Sequence, residues 1–230
     1  MKKLIPHLTA LAIALTAGSY LVIAQQPAGR GGPPPPMSFF ITSVSKGEGA
    51  NYGGLAGADA YCQKLGSDAG RGAPVVWHAY LSTQGAGAVN ARDRIGNGPW
   101  YNANGALVGR GVPQIHGDSI EDARMGVIFG KQLSLTEKKG IVNGVGDMPN
   151  QHDILTGSQP DGRAYTDAAD HTCSNWTSSA DGMGAAQLGH ADKQGGGNGS
   201  WNSTHASRGC SQPNLVSTGG AGLLYCFAVN

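Results

Sequence analysis

Histidine and carboxylate recur together along this chain in segments that lack hydrophobic periodicity. His116 stands beside Asp118, His152 beside Asp153 and His190 beside Asp192, and His205 follows shortly after Trp201-Asn202. Neutral imidazole and carboxylate are donors that zinc and related divalent ions accept, and an imidazole beside an acid is also how a general base is oriented. His116, His152, His190 and His205 therefore form a candidate set for a divalent metal, with a metal-dependent hydrolase as the enzymatic reading. The competing reading is solvation, since polar loops collect His and Asp, and no HExxH spacing supports the sharper one. No GxSxG elbow marks a serine hydrolase.

The aromatic residues offer a second chemistry, because sugar C–H faces stack on rings while neighbouring Asn and Asp bind hydroxyls. Trp100, Tyr101, Trp176 and Trp201 are the candidates. Trp176, three residues after Cys173, reads as core. Trp201, in the glycine-rich run "GGGNGSWNSTH", reads as an exposed platform.

The elements that must position these residues lie in a chain with an export signature. Lys2 and Lys3 precede an apolar run from Leu4 to Ile23 that ends in a small-residue site at Ala24, so residues 1–24 read as a signal peptide. His7, Thr9, Thr16, Gly18 and Ser19 interrupt the run and argue against a retained span. Residues 25–37, "QQPAGRGGPPPPM", read as a Pro/Gly linker, and residues 38–230 as one domain large enough to bury its own core. The expected location is secreted or periplasmic, with no stable membrane span after cleavage. The 16 basic and 15 acidic residues are scattered, which excludes the basic stripe of a nucleic-acid binder; Arg92/Arg94 and Lys138/Lys139 read as solvated surface.

Cys62, Cys173, Cys210 and Cys226 are too widely spaced for a zinc ribbon. In an exported chain they read as two disulfides, with three pairings open. "FFITSV" (39–44), "VVWHAYLST" (75–83) and "GLLYCFAV" (222–229) read as strands, and Asn104-Gly105 as a hairpin turn. Leu55, Ala58, Cys62 and Leu65 recur at helical spacing, which puts Cys62 on an inner face. Residues 110–151 read as one long irregular connection. With 38 glycines favouring turns over long helices, the fold class is α+β: short strands, one or two helices, and long loops held by two disulfides.

The order "GADAYCQKL", "HAYLS", "GSQPDGRAYTD…C..W", Cys210 and "LYCFAVN" resembles the C-type-lectin-like superfamily, and within it the endostatin-like branch. "GPWYNANG", "HDILTGSQPDG", "NWTSS" and "STGGAGLLYCF" are similar to runs in bacterial secreted proteins labelled simply lectin. The resemblance implies nested bridges, Cys62 with Cys226 and Cys173 with Cys210. It also implies a calcium-assisted sugar site in which Gln159, Asp161, Trp201 and Asn202 meet a carbohydrate or glycoconjugate. Ser203 stands where the calcium-binding pattern has a carboxylate, so such an ion would be held weakly. Endostatin-like members use a similar proline turn without calcium, which leaves a purely structural turn as the alternative. The function implied is non-catalytic carbohydrate binding. The loop-histidine hydrolase and a protein-binding or matrix-structural domain are the other readings, and nothing in the residues sets an oligomeric state.

Overall fold

The apolar run near the C-terminus is the axis of the molecule. In the computed structural model, which describes residues 32–195 and 198–229, it forms β8 (Gly220–Ala228), a strand hydrogen-bonded on both edges. Its alternate side chains enter two different cores. Leu224, Cys226 and Ala228 pack with Phe40, Trp77 and Trp176. Leu223, Tyr225 and Phe227 pack with Phe39, Trp100, Phe129 and Trp201 on the opposite face. A strand covered on both faces has no need of polar alternation, which is why this segment is continuously apolar.

Strand β1 (Phe39–Ile41) pairs antiparallel with Phe227 to Tyr225, and β2 (Trp77–Ala79) pairs antiparallel with Ala228 to Cys226. Because Cys226 and Phe227 serve both, the two strands occupy opposite edges of β8. The hairpin β3 (Trp100–Tyr101) and β4 (Leu107–Gly109) forms as expected around Gly105, whose φ of 76° suits glycine. Beyond β8 the order of the main sheet runs to β5 (Asp153–Leu155), β6 (Gln187–His190) and β7 (His205–Ala206). β5 is parallel to β8 and antiparallel to β6.

Helix α1 (Gly54–Asp68) buries Ala58, Cys62 and Leu65 as its periodicity implied. Cys62 bridges to Cys226 and Cys173 to Cys210, so the pairing is nested. Arg92 and Arg94 correct the surface reading given to them. Arg94 donates to Asp59 of α1 at 2.5 Å and to the Ala79 carbonyl of β2, while Arg92 is buried and paired with Asp118.

The expectation of one or two helices also needs correction, since five α-helical segments occur among the described residues. α2 (Val112–His116) and α3 (Ile120–Met125) lie inside the stretch read as one irregular connection. α5 (Gln212–Thr218) precedes β8. Segments of one or two turns show no readable period; what sets them is local. Ser119 accepts a hydrogen bond from the Asp122 amide, and Ser211 one from the Asn214 amide. The fifth, α4 (Cys173–Trp176), is a left-handed turn with φ from 47° to 66° at all four residues. That conformation costs roughly 1–2 kcal/mol per residue. The Cys173–Cys210 bridge and the Trp176 indole, which donates to the Ser82 carbonyl at 2.7 Å, hold it.

The signal segment and most of the linker lie outside the described residues; Gly32 to Pro36 are exposed and form no regular element. Among the described residues no helix is long and apolar enough to cross a membrane.

The two bridges close loops of different length, 164 and 37 residues in sequence separation. Replacing a pair by alanine is expected to cost about 2–5 kcal/mol, and loop-closure entropy makes loss of Cys62–Cys226 the larger by ~1 kcal/mol. Urea denaturation of the two double variants checks this; an equal or reversed order would show that native-state contacts outweigh chain entropy.

Candidate metal centre

Three neighbouring strands bring the histidines together through their register. Asp153 on β5 lies directly opposite His190 on β6. His205 on β7 lies opposite Leu188, two residues from His190 and therefore on the same face. Gly189 makes room for the chain that returns between them: a Cβ there would sit 1.9 Å from the Trp201 carbonyl oxygen. His152, one residue before β5, completes the group, with its ring stacked on His190 at 4.1 Å.

The group has a single hub. Asp153 Oδ1 lies 3.4 Å from His152 Nε2, 3.2 Å from His190 Nε2 and 3.6 Å from His205 Nε2, and the last two nitrogens are 3.0 Å apart. Both Asp153 oxygens are buried without a hydrogen bond, as is His190 Nδ1. Leaving a buried carboxylate unpaired costs several kcal/mol, so a positive charge must lie among these atoms, as protons or as a cation. Donors about 2.0–2.1 Å from a tetrahedral ion stand roughly 3.3–3.4 Å from one another, and the Asp153 Oδ1 separations from His152 and His190, 3.4 and 3.2 Å, lie close to that value.

His152 is oriented from behind. Its Nδ1 meets Asp192 Oδ1 at 2.8 Å, which directs the Nε2 lone pair toward Asp153. Burial pushes the Asp192 carboxyl up, but amide N–H donation from Val145 and Gln194 and the His152 contact outweigh it and hold the group below its ordinary value. His152, Asp153 and His190 form a set able to hold a metal; His205 Nε2 lies beside it, near Asp153 and His190 only.

The fourth predicted histidine is placed differently. His116 Nδ1 donates to the Val112 carbonyl, and its Nε2 accepts from the Tyr80 hydroxyl at 2.8 Å. The set read from sequence thus loses His116 and gains Asp153, with Asp192 behind it. The His-Asp adjacencies at 152–153 and 190–192 were the available signal, but adjacency alone does not say which acid is a ligand.

The proline turn is also built differently from the expected sugar face. Trp201 is buried, not exposed: its indole donates to the Ile115 carbonyl at 2.9 Å and stacks on Phe129 at 4.6 Å. Asn202, also buried, spends its amide on the Tyr80 hydroxyl and on the carbonyls of Gln159 and Pro160. Gln159 donates to Ala164, and Asp161 accepts from the Arg163 amide and guanidinium. The four residues do adjoin one another, but as a turn held by its own hydrogen bonds.

No protein-family model matches the chain, and no curated protein matches it.

Trp201→Ala is expected to cost about 3–5 kcal/mol, as for a large aromatic removed from a core, against less than about 0.5 kcal/mol for a surface ring; chemical denaturation separates these. His116 should be visible in the pH dependence of stability. Burial, partly opposed by the Val112 hydrogen bond, drives its pKa from 6.5 down to about 4. Between those values the unfolded chain binds a proton that the folded chain refuses, so the contribution is complete above pH 6.5 and is lost as pH falls toward 4. A His116→Gln variant should show a flatter acid limb in denaturation midpoints measured across that window; an unchanged limb would mean that other groups set it.

Proposed function

We propose that this chain is an exported, non-catalytic binding domain of the C-type-lectin-like class, built around a zinc-type ion held by His152, Asp153 and His190, with His205 beside it. The observation that carries the metal reading is the buried Asp153 carboxylate, free of hydrogen bonds and faced by three imidazole nitrogens. A dication would compensate that charge and accept donors from His152, Asp153 and His190. Calcium takes six to eight oxygens; a set of one carboxylate and two imidazoles suits zinc and its transition-metal neighbours. All three donors are buried, a setting in which a bound ion contributes folding energy. The ion would tie β5 and β6 together, with Asp192 fixing the His152 tautomer. The nested bridges, in the order the family resemblance implies, support the lectin-like class, and two disulfides fit an oxidising compartment.

A carbohydrate partner is favoured by one surface feature. A groove of about 490 Å³ is lined by Asn90, Gln159, Arg163, Tyr165 and Asp167 among others. Tyr165 is half-buried and held by stacking on His171 at 3.8 Å. A fixed ring beside a guanidinium, a carboxylate and amides is suited to the apolar faces and hydroxyls of a sugar.

Metal analysis of the purified protein is expected to give one equivalent of zinc, with a chelator lowering the melting temperature and zinc, not calcium, restoring it. His190→Ala and Asp153→Ala should lose the ion. A melting temperature indifferent to chelator and zinc would refute the metal reading. For the partner, a glycan array followed by titration should show Tyr165→Ala weakening the best ligand about tenfold, ~1.4 kcal/mol. An array with no ligand would move the protein-binding alternative ahead.

A further inference from the structure

The groove beside Tyr165 does not end at Asp167. Its walls are the loop 84–90 and the facing segment that begins at Gln159, and a second cavity of about 340 Å³ lies between the same two segments, sharing Gly85 and Asp167 with the first. Along the loop the lining runs from Gln84 in the second lobe to Asn90 in the first; along the facing segment it runs from Gln159 in the first lobe to Asn175 in the second. The walls therefore pass in opposite directions on either side of one cleft, and they are laced only toward its ends. At one end the Ala164 amide donates to Asn90 Oδ1 at 2.9 Å. At the other the Gln84 side chain donates to the Ala169 carbonyl and accepts from the His171 amide, while the Gln84 main-chain amide donates to Asn175 Oδ1. Among the described residues no hydrogen bond joins 85–88 to 165–168. Gly85, common to both lobes, is exposed, and its amide donates to no group of the described residues. Opposite it Asp167 holds the Ala169 amide and His171 with Oδ1, which leaves Oδ2 as an acceptor.

We propose that the ligand of this cleft is a linear, uncharged oligosaccharide rather than a single sugar, with one unit on the Tyr165 ring and the next carried past Asp167 into the second lobe. This rests on the carbohydrate reading of the groove. The two lobes differ in kind: the first has the fixed ring, whereas the second has no aromatic and is lined by Asp170, Thr172 and Ser174. A single sugar on the ring leaves the second lobe to water. A linked second unit reaches it without a further loss of translational freedom, because its neighbour is already held. The charges lining the two lobes select a neutral chain. Arg163 is paired with Asp161 at 2.6 Å, which leaves the carboxylates of Asp167 and Asp170 with His171 as the one other titratable group beside them. Even with that imidazole protonated the cleft stays negative, so a chain of uronic acids would be repelled.

Titration calorimetry of the full chain provides the test, with cello-, xylo-, manno- and N-acetylchito-oligosaccharides from monomer to hexamer and with oligogalacturonate as the charged control. At least one neutral series is expected to gain roughly tenfold in affinity from monomer to trimer and to level off beyond it. Ala168 is exposed and lines the second lobe but not the first. Ala168→Leu, which fills that lobe without adding a ring or a charge, should leave the affinity for the monomer unchanged and abolish the gain with length, whereas Tyr165→Ala should weaken monomer and trimer alike. A monomer bound as tightly as its trimer, or a gain that survives Ala168→Leu, overturns the extended ligand and leaves a groove for one sugar. Tighter binding of oligogalacturonate than of every neutral series overturns the charge selection. Binding of none of these sugars at any length brings down the carbohydrate reading itself, and the extended ligand with it.

Discussion

Strand β8 is paired along both edges and packed on both faces, and most of the remaining structure can be derived from that constraint. It gives β1 and β2 their partners, receives the Cys62 bridge from α1, and divides the interior into two cores. Its N-terminal half also determines where β5 lies. The parallel pairing shifts register between Asp153, opposite Gly220, and Ile154, opposite Leu223. Such irregularities re-aim side chains, and here the shift falls at the carboxylate on which the three imidazoles converge. Asp153 and His190 are thus placed by strands rather than loops, fixed by the same ladder that fixes the sheet.

Two local arrangements oppose the general preference for low-energy backbone and satisfied polar groups. The left-handed turn at Cys173–Trp176 is held by a disulfide, an indole hydrogen bond and the Asp170 carboxylate, which accepts from the Ser174 amide. The Asp153 carboxylate has no amide to offset its burial. The first is compensated within the chain. The second needs a positive charge, and that contrast separates a structural irregularity from a site that asks for a ligand.

Sequence made the framework legible where a pattern has length. The period of Leu55, Ala58, Cys62 and Leu65, the Asn104-Gly105 turn and the apolar run ending the chain each correspond to an element of the structure. It failed where distant residues decide the outcome. The strand run 75–83 is regular only at Trp77–Ala79, because from Tyr80 onward the backbone bonds first to Tyr225 and then to Thr156. Trp201 follows a glycine-rich run, which looks exposed on paper, but its ring packs on Phe129 and Tyr225, both distant in sequence. The histidines were readable as a set by chemistry, yet membership followed strand register, which no single His-Asp pair encodes. Hence His116 joined Tyr80 and Trp201 instead.

The nested bridges bear on how the molecule is made. During synthesis Cys62 emerges first and Cys173 second, so the earliest two thiols available to each other are a wrong pair. In the finished fold Cys62 is sequestered between α1 and the sheet, but its partner on the strand that covers it is made 164 residues later. Burial cannot protect this thiol while the chain is still growing. Correct oxidation must therefore either wait for β8 or pass through exchange of a premature crosslink by attack of a later thiolate, which makes the maturation of this domain sensitive to the thiol–disulfide chemistry of its compartment.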